Sequence, residues 1–497
     1  MKPKAFWQKI RILLFVFAVL IVLTVIGFST MGQKPFIRTT LSGLTLGALF
    51  FMVAAGLTLI FGLMDVLNFA HGAMFMVGAY GGWQFYTNPT FIFGLLPIIL
   101  APLAGLSLGA LLRPWIMTWR VPEKVFEALR VVLYAAALGL LILGLLGYDI
   151  LGLADTAMVS TMVASDPLAE ATVQEALASF WLRPVLLVLV GLVTSVAGSL
   201  PRTESAFVKH IAPWKTWSLT LTLVLATIFT SLVRESGAIA VLEMNADIRF
   251  ILSLFTGFFV GAGIGAAIEI TLIRQLYVRS QFLVLLTLGL AFVLQELAQV
   301  LWDPLAYQMS RPPLFSQPGK AENILAWFSG HNVTIDIFGV TFPSYRLFIL
   351  VLGVVMLIGL AILMNYTRLG MIIRAGVQDR EMVEALGINV RTVFTLVFAL
   401  GVGLAALGGI GAAPFIPVEP GMGTRFQLQA FITVVLGGMG SYGGAAIGAM
   451  LLGFARAFGD YLALKFSISP AISEASTVII MAIVLLVRPS GLFGRKE

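Results

Sequence analysis

Residues 43–83 read GLTLGALFFMVAAGLTLIFGLMDVLNFAHGAMFMVGAYGGW, two apolar runs separated by a short polar stretch. The first run is long enough to cross the hydrocarbon core of a bilayer, which takes about 20 apolar residues in a helix. Because lipid offers no hydrogen-bond partner to the backbone, such a run must be helical. The second run is shorter and rich in glycine. This stretch therefore predicts two membrane helices, one of which is short or broken.

The composition of the whole chain supports a membrane protein. Of its 497 residues, 59% are hydrophobic and 11% are charged, whereas about 25% are charged in typical soluble domains. The mean hydropathy is +1.00. The absence of cysteine excludes disulfides, thiolate metal sites and a cysteine nucleophile.

The apolar runs predict an all-α, polytopic helical membrane protein with about 14 hydrophobic segments, some of them short or broken. The first segment follows a cluster of cations and is either a signal peptide or a retained anchor; we expect an anchor helix within residues 1–35. The segments lie at 12–28, 41–63, 71–87, 91–112, 128–147, 181–200, 216–234, 250–272, 281–301, 346–366, 393–413, 426–439, 443–460 and 470–488.

Loop charges predict the orientation of these segments, because lysine and arginine collect on cytoplasmic loops. Acidic residues dominate the loop at 149–180, which is therefore expected outside. The stretch at 302–345 is also expected outside, and we interpret it as a loop rather than a domain. Both termini are expected in the cytoplasm. The basic residues of the cytoplasmic loops are Arg113, Arg120, Lys124, Arg130, Arg202, Lys209, Lys215, Arg274, Arg279, Arg368, Arg374, Arg380 and Arg391.

Five motifs follow one another along the chain: NFAHG at 68–72, EITLIRQLYVR at 269–279, RAGVQDREMVEALGINVR at 374–391, the glycine-rich block at 414–444 and RPSGLFG at 488–494. With them the chain resembles the LivH-type permeases of high-affinity branched-chain amino acid ABC transporters. The resemblance implies a LivH-like permease core at 36–88 and 250–497. It also implies an inserted four-span module at 89–249, whose role the residues do not show.

The resemblance implies a permease subunit of an ABC importer in the bacterial inner membrane, which moves branched-chain or related amino acids by alternating access. Its implied partners are a second LivM-type permease, two cytoplasmic ATPase subunits, a periplasmic substrate-binding protein and membrane lipid, but no nucleic acid. The chain has no phosphate-binding loop motif. ATP would therefore be used by the partners, and we expect this chain to bind no cofactor. Urea or amide substrates, ion-coupled secondary transport and a scaffold or receptor role stay open.

A first candidate site is a short helix in the second motif. Residues 381–386 predict an amphipathic helix that ends at Gly387, because glycine readily adopts the positive φ of a helix C-cap. Such a helix could dock in a groove of an ATPase subunit, or it could belong to a solvated loop. The candidate coupling residues are Arg380, Glu381, Glu384, Ala385 and Gly387.

A second candidate site is a translocation pathway at the breaks between glycine-rich segments. Asp65, Asn68 and His71 could line a substrate route, or Asn68 and His71 could cap neighbouring helices. A break at 437–444 could aim the N-terminus of a half-helix at a carboxylate. No catalytic triad or metal cluster is recognisable, and Glu269 is expected to pair with Arg274. The candidate pathway residues are Asp65, Asn68, His71, Gly437, Gly438, Gly440 and Gly444.

Overall fold

The computed structural model describes residues 25, 27–29, 31–64, 67–116, 123–146, 148, 150–154, 182–200, 213–277, 279–378, 380–469 and 471–494. Within this part of the chain, ten helices are long and apolar enough to cross a membrane. The predicted all-α, polytopic membrane protein is thereby confirmed. Most of the expected anchor at 1–35 lies outside the described residues.

The described α-helices are α1 Gln33–Met64, α2 His71–Thr87, α3 Pro89–Ile116, α4 Glu123–Leu145, α5 Ile150–Ala154, α6 Leu182–Ser199, α7 Pro213–Leu232, α8 Arg234–Glu243, α9 Ala246–Thr271, α10 Ser280–Trp302, α11 Ile324–Gly330, α12 Ser344–Tyr366, α13 Arg368–Gln378, α14 Arg380–Ala385, α15 Val390–Ala412, α16 Met422–Gly437, α17 Tyr442–Lys465 and α18 Ala471–Val487. Every predicted segment after the first overlaps one of these helices. Among these, α2, α16 and α18 are the short ones, with 17, 16 and 17 residues.

The connection between α10 and α12 is a small folded unit, so the interpretation of 302–345 as a plain loop was wrong. It forms a three-stranded sheet of β1 Gln317–Ala321, β2 Asn332–Ile337 and β3 Val340–Pro343. Strand β2 pairs in parallel with β1 and antiparallel with β3. Hydropathy does not predict this sheet, because its strands contain proline and charged residues and are too short and too polar to form an apolar run.

An ion pair joins the two parallel strands of this sheet. Lys320 on β1 pairs with Asp336 on β2, and the hydrogen bond from Lys320 lowers the pKa of the Asp336 carboxyl. We call the end of the helices that carries this sheet the sheet end, and the opposite end, which carries α14, the α14 end.

The chain divides into two compact units, Met1–Trp83 with Asn245–Glu497, and Gln84–Met244. In the first unit α1 packs along α15 and α17, and α9 along α15. Small residues allow these approaches: a Cβ added at Gly47 would lie 3.0 Å from the Cα of Met450. In the second unit α3 and α6 pack together where Gly105 meets the backbone of Val188. That the spans between 89 and 249 are an insertion into a permease core stays a prediction.

Candidate functional site

Helix α2 begins about halfway along the helices it packs against. The Nε2 atom of His71, its first residue, lies 2.9 Å from the carbonyl oxygen of Val53. Val53 is eleven residues from the end of α1, which corresponds to about 16 Å of helix. Gly401 lies at the same level, eleven residues into α15, and its carbonyl oxygen would be 1.9 Å from a Cβ on Gly56. Because the hydrocarbon core is about 30 Å thick, α2 starts near the membrane midplane.

Helix α16 begins at the same level and runs in the opposite direction. Its second residue, Gly423, packs backbone to backbone against Gly72: a Cβ on Gly72 would lie 2.2 Å from the Gly423 oxygen. From there α16 runs to the α14 end, where Gly437 accepts a hydrogen bond from the Phe493 N–H at 3.0 Å. Helix α2 runs to the sheet end, where Trp83 packs on Tyr307 with ring centroids 4.6 Å apart. Two short helices thus meet with their N-termini near the midplane.

The predicted pathway residues Asn68 and His71 form the start of α2. Both are fully buried. The Asn68 Oδ1 accepts the Ala70 N–H at 3.0 Å, and its carbonyl accepts the His71 N–H at 3.3 Å. This geometry matches the capping role, in which a side-chain oxygen satisfies an N–H group at a helix start. Asp65 lies outside the described residues.

Gln427 on α16 joins the starts of the two short helices. Its Nε2 donates to the Asn68 carbonyl at 3.3 Å, and its Oε1 accepts the Gly72 N–H. On α10, the hydroxyl of Thr287 accepts the Phe69 N–H at 3.2 Å. Gln427 and Thr287 were not predicted, since neither belongs to a pattern with a known spacing. The only available signal was a polar side chain within an apolar helix.

A cavity of about 120 Å³ adjoins this junction, between α2, α10 and α16. The hydroxyl of Thr424 donates to the Oε1 of Gln295 at 3.2 Å on its polar side. Phe292 is 67% exposed, so the cavity opens to the surface of the described chain. Its lining residues are Phe69, Ala73, Met76, Leu288, Ala291, Phe292, Gln295, Pro420, Gly423, Thr424 and Gln427.

The start of α16 carries no capping side chain. Its N-cap residue is Gly421, and no side-chain cap hydrogen bond is made. The N–H groups that such a cap would occupy belong to the second and third residues, Gly423 and Thr424, and both residues line the cavity. A helix N-terminus also carries a partial positive charge. The arrangement can therefore hold an anionic group beside apolar walls.

The predicted break at 437–444 has a different environment. Gly438 and Gly440 have φ values of 97° and 78°, and the hydroxyl of Ser441 accepts the Gly444 N–H at 3.1 Å, capping α17. The chain's last described segment packs on this turn, with the Leu492 N–H donating to the carbonyl of residue 436 at 2.8 Å. The break is closed by the chain's own backbone at the α14 end.

The predicted short helix and its end at Gly387 are confirmed, whereas its coupling role stays a prediction. Helix α14 ends with the Gly387 N–H bonded to the Glu384 carbonyl at 2.9 Å and the Ile388 N–H to the Val383 carbonyl at 3.3 Å. Gly387 has φ 81°, so the helix closes in the manner of a Schellman motif.

Most side chains of this segment are exposed. Val383 is buried and anchors the helix, whereas Met382 and Leu386 are 58% and 72% exposed. The candidate residues Glu381, Glu384, Ala385 and Gly387 are exposed as well. The apolar side chains of Met382 and Leu386 are therefore exposed on the surface of the described chain.

A polar cluster lies where α9 and α15 approach the α14 end. Glu269 is fully buried and pairs with Arg274 at 2.9 Å, as predicted. It also accepts hydrogen bonds from Thr395 at 2.6 Å and from Tyr277 at 2.5 Å. The hydrogen bond to Glu269 raises the pKa of Arg274. The cluster ties α9 to the beginning of α15, the helix that follows the α14 segment.

Comparison with known proteins identifies the class of protein that this architecture represents. Residues 215–488, more than half of the chain, match the family described as branched-chain amino acid transport system / permease component. The chain belongs to this family, and it is a multi-pass inner-membrane protein. The expected resemblance to LivH-type permeases is confirmed.

Three curated relatives illustrate the similarity. The permease LivH of the high-affinity branched-chain amino acid transport system from Escherichia coli is 32% identical over 34% of this chain and 53% of its own length. The permease BraD of the corresponding Pseudomonas aeruginosa system is 32% identical over 37% and 59%. The ribose import permease RbsC from Escherichia coli is 28% identical over 45% and 65%. The chain thus spans about half the length of the first relatives. No solved structure matches it.

Proposed function

We propose that this chain is the permease subunit of an ABC importer and that it passes branched-chain or related aliphatic amino acids through the midplane junction of α2 and α16. The carrying observation is the uncapped start of α16, which faces a small cavity with apolar walls near the middle of the membrane. The names of the relatives support this substrate class.

Each part of an aliphatic amino acid has a counterpart in this cavity. The carboxylate would accept hydrogen bonds from the N–H groups of Gly423 and Thr424, where the helix dipole also favours negative charge. The side-chain Oε1 atom of Gln295 accepts one hydrogen bond from Thr424 and has a second lone pair, which can accept a hydrogen bond from the ammonium group of the substrate. Leu288 and Phe292 provide apolar contact for the side chain. Urea and short amides carry no charge that this helix end would attract.

The cavity is open on one side, and we propose that a second permease subunit covers it. Phe292 lines the cavity and is 67% exposed, and Leu428, the neighbour of Gln427 in the chain, is 57% exposed. A LivM-type subunit is the partner expected from the resemblance, together with two ATPase subunits and a periplasmic substrate-binding protein at the sheet end.

We further propose that α14 transmits the work of the ATPases. Its exposed apolar side chains, Met382 and Leu386, suit a groove on a soluble partner, and Gly387 adds no side chain that would block close approach. Motion of this segment would reach α15 directly, because Asn389, which caps α15, lies two residues after Gly387. The resulting shift of α15 against α2 would alternate access to the midplane junction.

Ion-coupled transport finds less support in the described residues. Such a carrier needs an accessible titratable group along its pathway. The ring of His71 is fully buried against the Val53 carbonyl, and Glu269 is held by Arg274 at the α14 end. Glu269 is paired, and His71 is buried with its Nδ1 atom unpartnered among the described residues, so neither is an exposed titratable group.

Filling the cavity tests the proposed pathway. Ala291→Phe places an aromatic ring into the space that the substrate needs, and we expect at least about a tenfold loss of leucine uptake into proteoliposomes that contain the assembled transporter. Val293→Phe is the matched control: it lies two residues away on α10, is 62% exposed and does not line the cavity. Equal uptake by the two variants would refute the pathway. ATP-independent uptake that an uncoupler abolishes would refute the transporter class.

The absence of cysteine allows a direct test of coupling. Leu386→Cys provides a single thiol on α14, and a bifunctional thiol-reactive reagent should link it to an ATPase subunit in the assembled transporter. Leu325→Cys is the control, since this side chain is 82% exposed but lies at the sheet end. Failure of Leu386→Cys to capture an ATPase subunit, or equal capture by Leu325→Cys, would overturn the coupling role.

A further inference from the structure

A large cavity lies at the sheet end, separate from the midplane junction. Its volume is about 920 Å³, and it is formed by the first turns of α1, the turn between β2 and β3, the start of α12 and the last turns of α17. Neither the resemblance nor the proposed transport pathway uses it. Among its lining residues, those that carry charge are Lys34, Arg38, Arg346 and Asp460.

These charges do not balance. Among the described residues, the single lining carboxylate, Asp460, pairs with Arg456 of its own helix at 3.7 Å. The ion pairs of the described part of the chain do not include Lys34, Arg38 or Arg346. Cations are also disfavoured on the outer side of an inner-membrane protein, where we place the sheet end. Their concentration at one cavity indicates an anionic ligand.

Arg346 is held in place by contacts that leave most of its donors available. Its guanidinium lies over the ring of Phe415 at 4.6 Å, and its Nη1 donates to the Ser42 hydroxyl at 3.4 Å. The Thr45 hydroxyl donates to the Arg346 carbonyl at 3.4 Å and fixes the backbone. Because arginine has five N–H donors in a planar fork, the side chain can still bind two oxygens of an oxyanion.

The position of the cavity indicates the source of this oxyanion. Arg346 is the third residue of the membrane helix α12, and Arg38 lies three residues before the apolar run of α1 begins at Leu41. Both residues lie at the ends of predicted membrane spans, where the headgroup region begins. Leu46 lines the cavity on the membrane side of Arg38 and is partly exposed, so this side offers apolar surface to an acyl chain.

We propose that this cavity binds the phosphate headgroup of an anionic phospholipid from the outer leaflet. Arg346 contacts the phosphate, and Lys34 and Arg38 add charge at the exposed rim. Basic pockets between membrane helices bind anionic headgroups on the cytoplasmic side, and the same charge attraction acts on an anionic headgroup here. A free phosphate ion would share the oxyanion chemistry, but it would not need the apolar rim or a space of this volume.

Retention of lipid by the purified full-length chain tests the proposal. The protein is delipidated in detergent, offered equimolar phosphatidylglycerol and phosphatidylcholine, and examined by native mass spectrometry. We expect phosphatidylglycerol to be retained preferentially, and Arg38→Gln/Arg346→Gln to lower its retention at least about tenfold. Lys320→Gln is the control, because this cation lies at the same end on the sheet but does not line the cavity.

A second variant keeps the test valid if loss of the Phe415 contact prevents folding. Lys34 and Arg38 are both exposed, so Lys34→Gln/Arg38→Gln should fold normally and still weaken retention. Retention that is unchanged in the variants, or equal for the two lipids, would overturn the proposal. If an excess of inorganic phosphate stabilises the protein against heating as strongly as phosphatidylglycerol does, the site binds free oxyanions and the lipid assignment fails.

Discussion

Two glycine-rich interruptions of the helices look alike in sequence but differ in what surrounds them. At the α14 end, the turn from Gly437 to Gly444 is closed: Ser441 caps α17, and residues 492 and 493 occupy the carbonyls at the end of α16. At the midplane, α16 begins at Gly421 without a cap and faces a cavity.

This difference teaches that glycine content alone does not locate a ligand site. Glycine allows two backbones to approach, and at both breaks it does so: Gly437 packs on Gly444, and Gly72 packs on Gly423. A site arises only where the approach leaves N–H groups without an internal partner and beside open space. At the 437–444 break the start of α17 is capped by Ser441, whereas the start of α16 is uncapped and its residues line a cavity, so we expect the substrate carboxylate at α16. Four substitutions measure this contrast.

Gly438→Leu should prevent stable folding. Its φ of 97° is unfavourable for leucine, and the new Cβ would lie 2.3 Å from the Gly494 nitrogen. We expect a loss of roughly 3–5 kcal/mol in the free energy of unfolding. The experiment detects it as a lower yield of monodisperse protein after detergent extraction. Gly443→Ala, in the same turn but with no atom within 4 Å of the new Cβ, should extract like wild type. Normal yields of Gly438→Leu would show that the closed break is tolerant.

Gln427→Leu should weaken the midplane junction by about 1–3 kcal/mol, because the Gly72 N–H and the Asn68 carbonyl lose their partner in a buried place. Thermal unfolding and uptake per folded molecule should both decrease. Gln429→Leu is the matched control on the same helix, since the Oε1 of Gln429 has no hydrogen-bond partner among the described residues. Similar losses of thermal stability and uptake in both variants would show that the hydrogen bonds of Gln427 do not stabilise the midplane junction.

Gly421→Asp should lower leucine uptake at least about tenfold while leaving the fold intact, because its carboxylate would repel that of the substrate at the start of α16. The position tolerates a side chain: φ is −74°, and no atom lies within 4 Å of an added Cβ. Gly421→Ala adds the same Cβ without the charge and should transport normally. Unchanged uptake by Gly421→Asp would place the carboxylate elsewhere.

Ser441→Ala should cost about 1 kcal/mol of stability, the usual price of a lost N-cap, with no change in uptake per folded molecule. Thermal unfolding in detergent measures the first quantity, and transport normalised to folded protein measures the second. If uptake falls tenfold while stability holds, the α14-end break takes part in substrate binding and the contrast between the two breaks collapses.

The membrane helices and the end of α14 could be predicted from the amino-acid sequence. Both depend on residues that are close in the sequence. In lipid, an apolar run must form all its backbone hydrogen bonds within itself. The end of α14 is closed by hydrogen bonds from the Gly387 N–H to the Glu384 carbonyl and from the Ile388 N–H to the Val383 carbonyl. The pair of Glu269 and Arg274 was predictable for the same reason, being five residues apart.

The depth at which the short helices begin, and the residues that surround these starts, could not be predicted because they depend on contacts between distant parts of the chain. Gln427 contacts Asn68 across 359 residues of chain, and the depth of α2 depends on His71 meeting Val53 of another helix. The sheet at 317–343 likewise depends on pairing between strands that hydropathy does not register. Periodicity and composition indicate which face of a single segment is exposed to lipid or water. The cavity between α2, α10 and α16 depends instead on gaps in the packing of three helices that are distant in the sequence.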